Sequence, residues 1–358
     1  MKTVAAVLVI LCAYLHVADN LKLKPDNILK DTVSDIKNVV SNVTHTVIPE
    51  CVFGVESVSM VLYNRDNPYG KKIGVDEVCD GINLSMPIVF LVHGFISNPN
   101  YTNSYKLSEA LVEKGVTVFS LDWTDAACTT GLPLVKFLAY PAAVINTRKI
   151  GELMASYVVS LNQKCSVPVN NIRFFGHSLG AHVCGFASKH IQESGYSRQK
   201  IPLLIGFDPA QPLFMLNKCE DRLCKQDADL VIALHTSTLG MTRPIGHTDF
   251  YFNGGSLQPK CPLNIACSHS SAVLYLAKII EDGTCKFPSV PMSYPDVIWR
   301  WKKPNYPQSN TIKCTPLDNI WSWIDGKNET FDKDKEQVYY TFVNSDTFCA
   351  NDNFSCQD

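Results

Sequence analysis

The chain has 358 residues, of which 46% are hydrophobic, with 32 basic against 34 acidic side chains. That balance excludes a nucleic-acid partner held by bulk charge, and no run of like charge offers a polybasic tether to a membrane. The length exceeds a usual domain yet suits one large α/β sheet, and no internal repeat, low-complexity tract or Gly/Ser linker divides it.

Met1-Lys2-Thr3 leads into an apolar stretch from Val4 to Leu15 that is too short to span a bilayer. Residues 1–18 therefore read as a secretory signal peptide, with cleavage after Ala18 before polar Asp19-Asn20. Cysteine usage points to the same route: thirteen of the 14 cysteines lie beyond the signal, a density that belongs to an oxidising compartment. Asn42, Asn83, Asn100, Asn328 and Asn353 each open an Asn-x-Ser/Thr sequon. The expected location is secreted and extracellular.

An odd mature cysteine count leaves at least one thiol outside the intramolecular bridges. Cys184, on the core face of an apolar helix, is the candidate for a free one. Cys219–Cys224 and Cys261–Cys267 each close a short loop. Residues 19–50 read as an N-terminal extension with a short helix around Ile28 to Val40, and 51–358 as a single catalytic domain.

Apolar strands are predicted at Pro87 to Val92, Val116 to Leu121, Ile172 to Phe175 and Ile201 to Phe207, with helical patterns at Leu107 to Lys114 and Ala142 to Leu161. This alternation predicts an α/β fold, a mostly parallel central sheet with helices on both faces. In such sheets chemistry gathers at the carboxyl ends of the strands.

Gly176-His177-Ser178-Leu179-Gly180 lies between one of these strands and a helix with an apolar stripe. A serine there occupies a strained turn that lifts its hydroxyl above the sheet, and glycines two residues to either side let the turn close. Ser178 is thus the candidate nucleophile of an acyl-transfer hydrolase. Val92-His93-Gly94-Phe95 ends an earlier strand, so the Phe95 and Leu179 N–H groups are the candidate oxyanion hole.

The partners of such a serine follow it in the order acid, histidine. Asp208 ends the Ile201 to Phe207 strand and is the preferred acid, whereas Asp221, Asp227 and Asp229 lie in a charged stretch and read as solvated. Order leaves three histidines open. His235 lies inside an apolar run and reads as a satisfied core group, His247 sits in Gly-His-Thr-Asp, and His269 opens a predicted helix, Ala272 to Ile280, from a cysteine-anchored loop. His269 is favoured. Neither a metal nor an organic cofactor is implied, since no histidine pair has metal-ligand spacing.

Six stretches then stand in order: Val92-His93-Gly94-Phe95, Leu121-Asp122-Trp123, Gly176 to Gly180-Ala-His, Gly206-Phe-Asp208-Pro-Ala210, Gly246-His-Thr-Asp-Phe-Tyr and Cys267-Ser-His269-Ser. Together they resemble the pancreatic lipase family from about Cys51 to about Ile280. The resemblance implies an α/β-hydrolase fold, a triad of Ser178, Asp208 and His269, oxyanion donors at Phe95 and Leu179, and a Cys51–Cys128 bridge.

Two departures bear on substrate. The family's triglyceride lipases carry a long disulfide-closed lid, whereas Cys261-Pro-Leu-Asn-Ile-Ala-Cys267 is too short for a helix that crosses a cleft. The loop between His235-Thr236 and Gly246-His247 is likewise compact. Both resemble the family's phospholipase A1 branch, including the arthropod venom enzymes. The expected activity is hydrolysis of the sn-1 acyl ester of phospholipids at a membrane or micelle surface, with neutral triacylglycerol lipase and a non-catalytic lipid-binding or yolk-type protein as alternatives.

The family's C-terminal lipid-binding β-sandwich and its protein cofactor are not expected. Its calcium loop is doubtful too, because Cys224 falls where an acidic ligand is expected. Trp299 with Trp301, and Trp321 with Trp323, are spaced to share one face of a strand, where sheet packing is preferred over a lipid-seating role.

Overall fold

The computed structural model describes residues 58–79, 81–127, 139–197, 199–281, 285–293, 304–306, 311–313, 315–327, 337–345, 349 and 355–357. The expected signal peptide, the expected N-terminal extension and helix, the expected Cys51–Cys128 pairing, Trp299, Trp301 and the sequons at Asn42, Asn328 and Asn353 lie outside these residues.

The strands are β1 (Ser59–Tyr63), β2 (Lys71–Ile73), β3 (Ile88–Val92), β4 (Thr117–Asp122), β5 (Ile172–His177), β6 (Ile201–Phe207), β7 (Ala228–His235) and β8 (Thr248–Phe252). Four follow: β9 (Ser289–Pro291), β10 (Thr311–Lys313), β11 (Gln337–Thr341) and β12 (Ser355–Gln357). The helices are α1 (Thr102–Glu113), α2 (Tyr140–Cys165), α3 (Leu179–Glu193), α4 (Ile265–Glu281) and the short α5 (Ile320–Ile324).

Among the described residues, ten strands form one sheet in the order β2-β1-β4-β3-β5-β6-β7-β8-β11-β9. From β4 to β11 every neighbour runs parallel, and antiparallel pairs occur only towards the two edges. A parallel sheet needs cover on both faces, and alternation supplies it. Val89, Leu91, Phe175, Ile205 and Ile232 join the core with α1 and α4. Phe90, Phe174, Leu204 and Val231 join that with α2 and α3. The predicted α/β class is the one observed.

Three expectations are corrected. Helix α4 starts at Ile265, so His269 stands in its second turn rather than opening it from a loop; Asn264 Oδ1 accepts the Cys267 N–H and starts the helix early. Trp321 and Trp323 lie in α5, not in a strand. Residues two apart on a helix point roughly 200° apart, and both rings pack half-buried against the α1/α4 core. Asp227 is buried rather than solvated, ion-paired to Lys189 at 2.5 Å and accepting the Cys224 N–H. Desolvation pushes its carboxyl up to about 6 against the pull of Lys189.

Cys219–Cys224 and Cys261–Cys267 are bridged, and Cys184 is the free, buried cysteine among the described residues. Cys79–Cys165 and Cys285–Cys349 are pairings that spacing left open. The late chain is held to the sheet by buried Arg173, whose Nε donates to the Ile324 carbonyl at the end of α5.

Candidate active site

Strand β5 delivers the chain directly to Ser178, which caps α3 with φ 57° and ψ −121°. This is a left-handed conformation that a side chain tolerates only when its surroundings hold it there. They do so through main-chain bonds. Ser178 N–H donates to the Phe207 carbonyl at 3.0 Å, and its own carbonyl accepts from Ala181 and Ala210 N–H, both at 3.2 Å.

The flanking glycines are required by packing. A Cβ on Gly176 would lie 2.4 Å from the Gly180 oxygen, and one on Gly180 would lie 2.3 Å from the Val92 oxygen. No side chain fits at either position. The motif therefore records a physical crossing of β3, β5 and α3, with the first amide of α3, that of Leu179, beside the serine.

Phe95, the other expected oxyanion donor, follows a rigid turn. Trp123 N–H donates to His93 Nε2 at 3.2 Å, and Trp123 Nε1–H returns to the His93 carbonyl at 2.9 Å. The two rings stack with centroids 5.6 Å apart, and the Phe95 ring meets Tyr140 edge-on. Strand β4 thus braces the β3 turn through Leu121-Asp122-Trp123.

Asp208 lies at the carboxyl end of β6, fully buried, with φ 44°. Its Oδ1 accepts from Thr236 N–H at 2.7 Å and Ser237 N–H at 3.1 Å. Its Oδ2 accepts from Ser237 Oγ at 2.5 Å and from His269 Nδ1 at 2.6 Å. A carboxylate so surrounded by donors is solvated by the protein in place of water.

His269 is anchored a second time through its main chain. The His177 ring lies 4.6 Å from the His269 ring, and its Nε2 is 3.0 Å from the His269 carbonyl. A carbonyl only accepts, so His177 Nε2 carries the proton. Burial first, and then the neighbouring His269, push the His177 imidazole down to about 3, which keeps it neutral.

The other two histidines are engaged elsewhere. His235 Nε2 donates to Asp249 Oδ1 at 2.7 Å and its ring stacks on Tyr251, while His247 Nδ1 accepts the Val231 N–H at 2.9 Å. Asp249 also accepts the Ile245 and Gly246 N–H groups, which fixes the turn before β8.

Sequence reasoning gave no role to Thr236, Ser237 or the ring of His177. The signal for the first two was topological: β6 and β7 pair with Phe207 opposite Leu234, so the residues after β7 fall beside whatever ends β6.

The rim is low and apolar. Residues 262–266 of the Cys261–Cys267 loop are all exposed, with Leu263 at 92% and φ 58° at its tip. Ile265 and Leu257 beside it, Ile96 after the Phe95 turn and Leu216 beyond Asp208 are exposed as well. The opposite loop is zipped tightly, with Met241 N–H donating to the Pro209 carbonyl and Gln211 N–H to that of Leu239.

A parallel sheet of this order, with a strained serine between strand and helix and a histidine–aspartate pair at the same end, defines the class of α/β hydrolases. The family model described as Lipase matches residues 54–293, and the chain belongs to that family. It is a serine ester hydrolase of lipids. The chain is 47% identical to a phospholipase A1 of Dinoponera quadriceps over the whole of both chains. It is also 40% identical to a phospholipase A1 of Solenopsis invicta, over 86% of this chain and 88% of the relative. It is 43% identical to a probable phospholipase A1, magnifin, of Vespa magnifica, over 66% of this chain and 73% of that one.

Proposed function

We propose that the protein is a secreted phospholipase A1 that hydrolyses the sn-1 acyl ester of phospholipids through Ser178, Asp208 and His269. The observation that carries this reading is the short, exposed 262–266 loop beside the His269–Asp208 pair. A low rim admits a bulky polar headgroup to the serine, where a tall apolar lid would exclude it. The relatives' names point the same way.

In this mechanism His269, held by Nδ1 on Asp208, takes the Ser178 hydroxyl proton as the oxygen attacks the ester carbonyl. The oxyanion is received by the Phe95 and Leu179 N–H groups. The imidazolium then protonates the departing lysolipid oxygen, and water releases the fatty acid by the same steps in reverse roles. Residues 1–18 serve as the export signal in this reading, and the catalytic unit starts at 51.

Paired assays on phosphatidylcholine and triolein emulsions test it. Release of fatty acid from phosphatidylcholine, with the sn-2 chain left on the lysolipid, is the expected result; release from triolein alone overturns it.

A further inference from the structure

We infer that Ser237 is a positioning residue for the reaction, its hydroxyl holding the Asp208 carboxylate in the orientation that His269 requires. The inference rests on the proposed roles of Ser178, Asp208 and His269.

Ser237 sits one residue past the start of the β7-to-β8 loop and is buried. Its Oγ makes three approaches: 2.5 Å to Asp208 Oδ2, 3.1 Å to the Leu239 nitrogen and 3.4 Å to His269 Nδ1. The Leu239 N–H donates to this oxygen, so the hydroxyl proton is free to point at the carboxylate. The distances then assign the imidazole proton, because Nδ1 lies 2.6 Å from Asp208 Oδ2 and much farther from Ser237. Oδ2 therefore receives two donors, the imidazole and the hydroxyl, while Oδ1 receives the two main-chain amides of Thr236 and Ser237.

The two amides alone leave the carboxylate able to rotate about its own bond to Cβ. The imidazole and the hydroxyl together on the second oxygen remove that freedom, and the hydroxyl also shares the negative charge that faces the imidazole. Without the hydroxyl, Oδ2 keeps the imidazole alone and attracts the imidazolium more strongly, which moves the acidic limb of the activity profile. Ser237 is buried, with its hydroxyl taken up by Asp208 and the Leu239 N–H, so its effect falls on kcat.

The test compares Ser237→Ala, Ser237→Gly and Ser237→Thr with Ser178→Ala, all in the full secreted chain, on a soluble short-chain ester. Ser237→Ala and Ser237→Gly are expected to lower kcat roughly tenfold with KM unchanged, and to move the acidic limb of kcat/KM to higher pH. Ser237→Thr, which keeps the hydroxyl, is expected to restore both. A folded Ala or Gly variant with wild-type kcat and an unmoved limb overturns the inference, as does a folded Thr variant that fails to rescue. Full activity in Ser178→Ala sinks the catalytic reading itself, and so separates the two failures.

Discussion

Gly94 faces Ser178 so closely that a Cβ at residue 94 would lie 2.7 Å from the serine Cβ. The turn that carries the Phe95 amide and the turn that carries Ser178 are therefore in van der Waals contact. Gly94→Ala should force one of them aside. A misplacement near 1 Å at reacting groups costs roughly 10²-fold, so kcat should fall by about that factor. The far-ultraviolet circular dichroism should be unchanged, and a variant with wild-type kcat would show that the two turns are not set by this contact.

The strain at Ser178 makes a separable prediction. A glycine relieves a left-handed residue that alanine does not. Both Ser178→Ala and Ser178→Gly should lose activity by roughly 10⁴-fold or more. The glycine variant should be about 1 kcal/mol more stable than the alanine variant. Denaturant titration of the two proteins measures the difference, and equal midpoints would mean that the elbow stores no strain.

Acid should unfold the protein through His182. Its Nε2–H donates to the Ala210 carbonyl at 2.8 Å while Nδ1 accepts the Leu223 N–H at 3.0 Å, an arrangement only a neutral ring can make. Burial pushes this imidazole down to about 3 from an ordinary 6.5. The unfolded chain therefore binds a proton that the folded chain refuses between those values. Stability from this site is complete above pH 6.5 and is lost as pH falls towards 3, by up to about 1.4 kcal/mol per pH unit. Unfolding at pH 5 in buffers of different ionisation enthalpy should reveal proton uptake, and His182→Gln should reduce it by about one proton.

Leu263 stands at the tip of a disulfide-closed loop with 92% of its surface in water. Its apolar surface would gain about 1.5–3 kcal/mol on leaving water. Leu263→Asp should weaken sedimentation with phosphatidylcholine vesicles at least tenfold. The ratio of vesicle to soluble-ester turnover should fall with it; an unchanged ratio would remove the loop from the lipid-facing surface.

What could be read beforehand follows a physical division. The elbow is legible because two glycines and a strand-to-helix switch are local demands of a single turn, and Asp208 because an apolar run ends in a carboxylate. Ser237 was not legible: its hydroxyl acts across the β6–β7 register, a relation fixed by strand order and by nothing in its own neighbourhood. Asp227 misled because a charged stretch looks solvated, whereas Lys189 comes from a helix thirty-eight positions earlier to neutralise it. The tryptophan spacing of two fitted a strand, and α5 forms instead on the outside of the sheet, tied down by Arg173.

Strand β11 slots between β8 and β9, and the Cys285–Cys349 bridge locks the polypeptide around it. The segment that completes the sheet is thus made on the ribosome after the stretch that holds Ser178, Asp208 and His269. Until it arrives, β8 presents an open ladder of amides and carbonyls to any passing strand. A nascent chain that already carries Ser178, Asp208 and His269 therefore still lacks the strand that closes its sheet, its keystone.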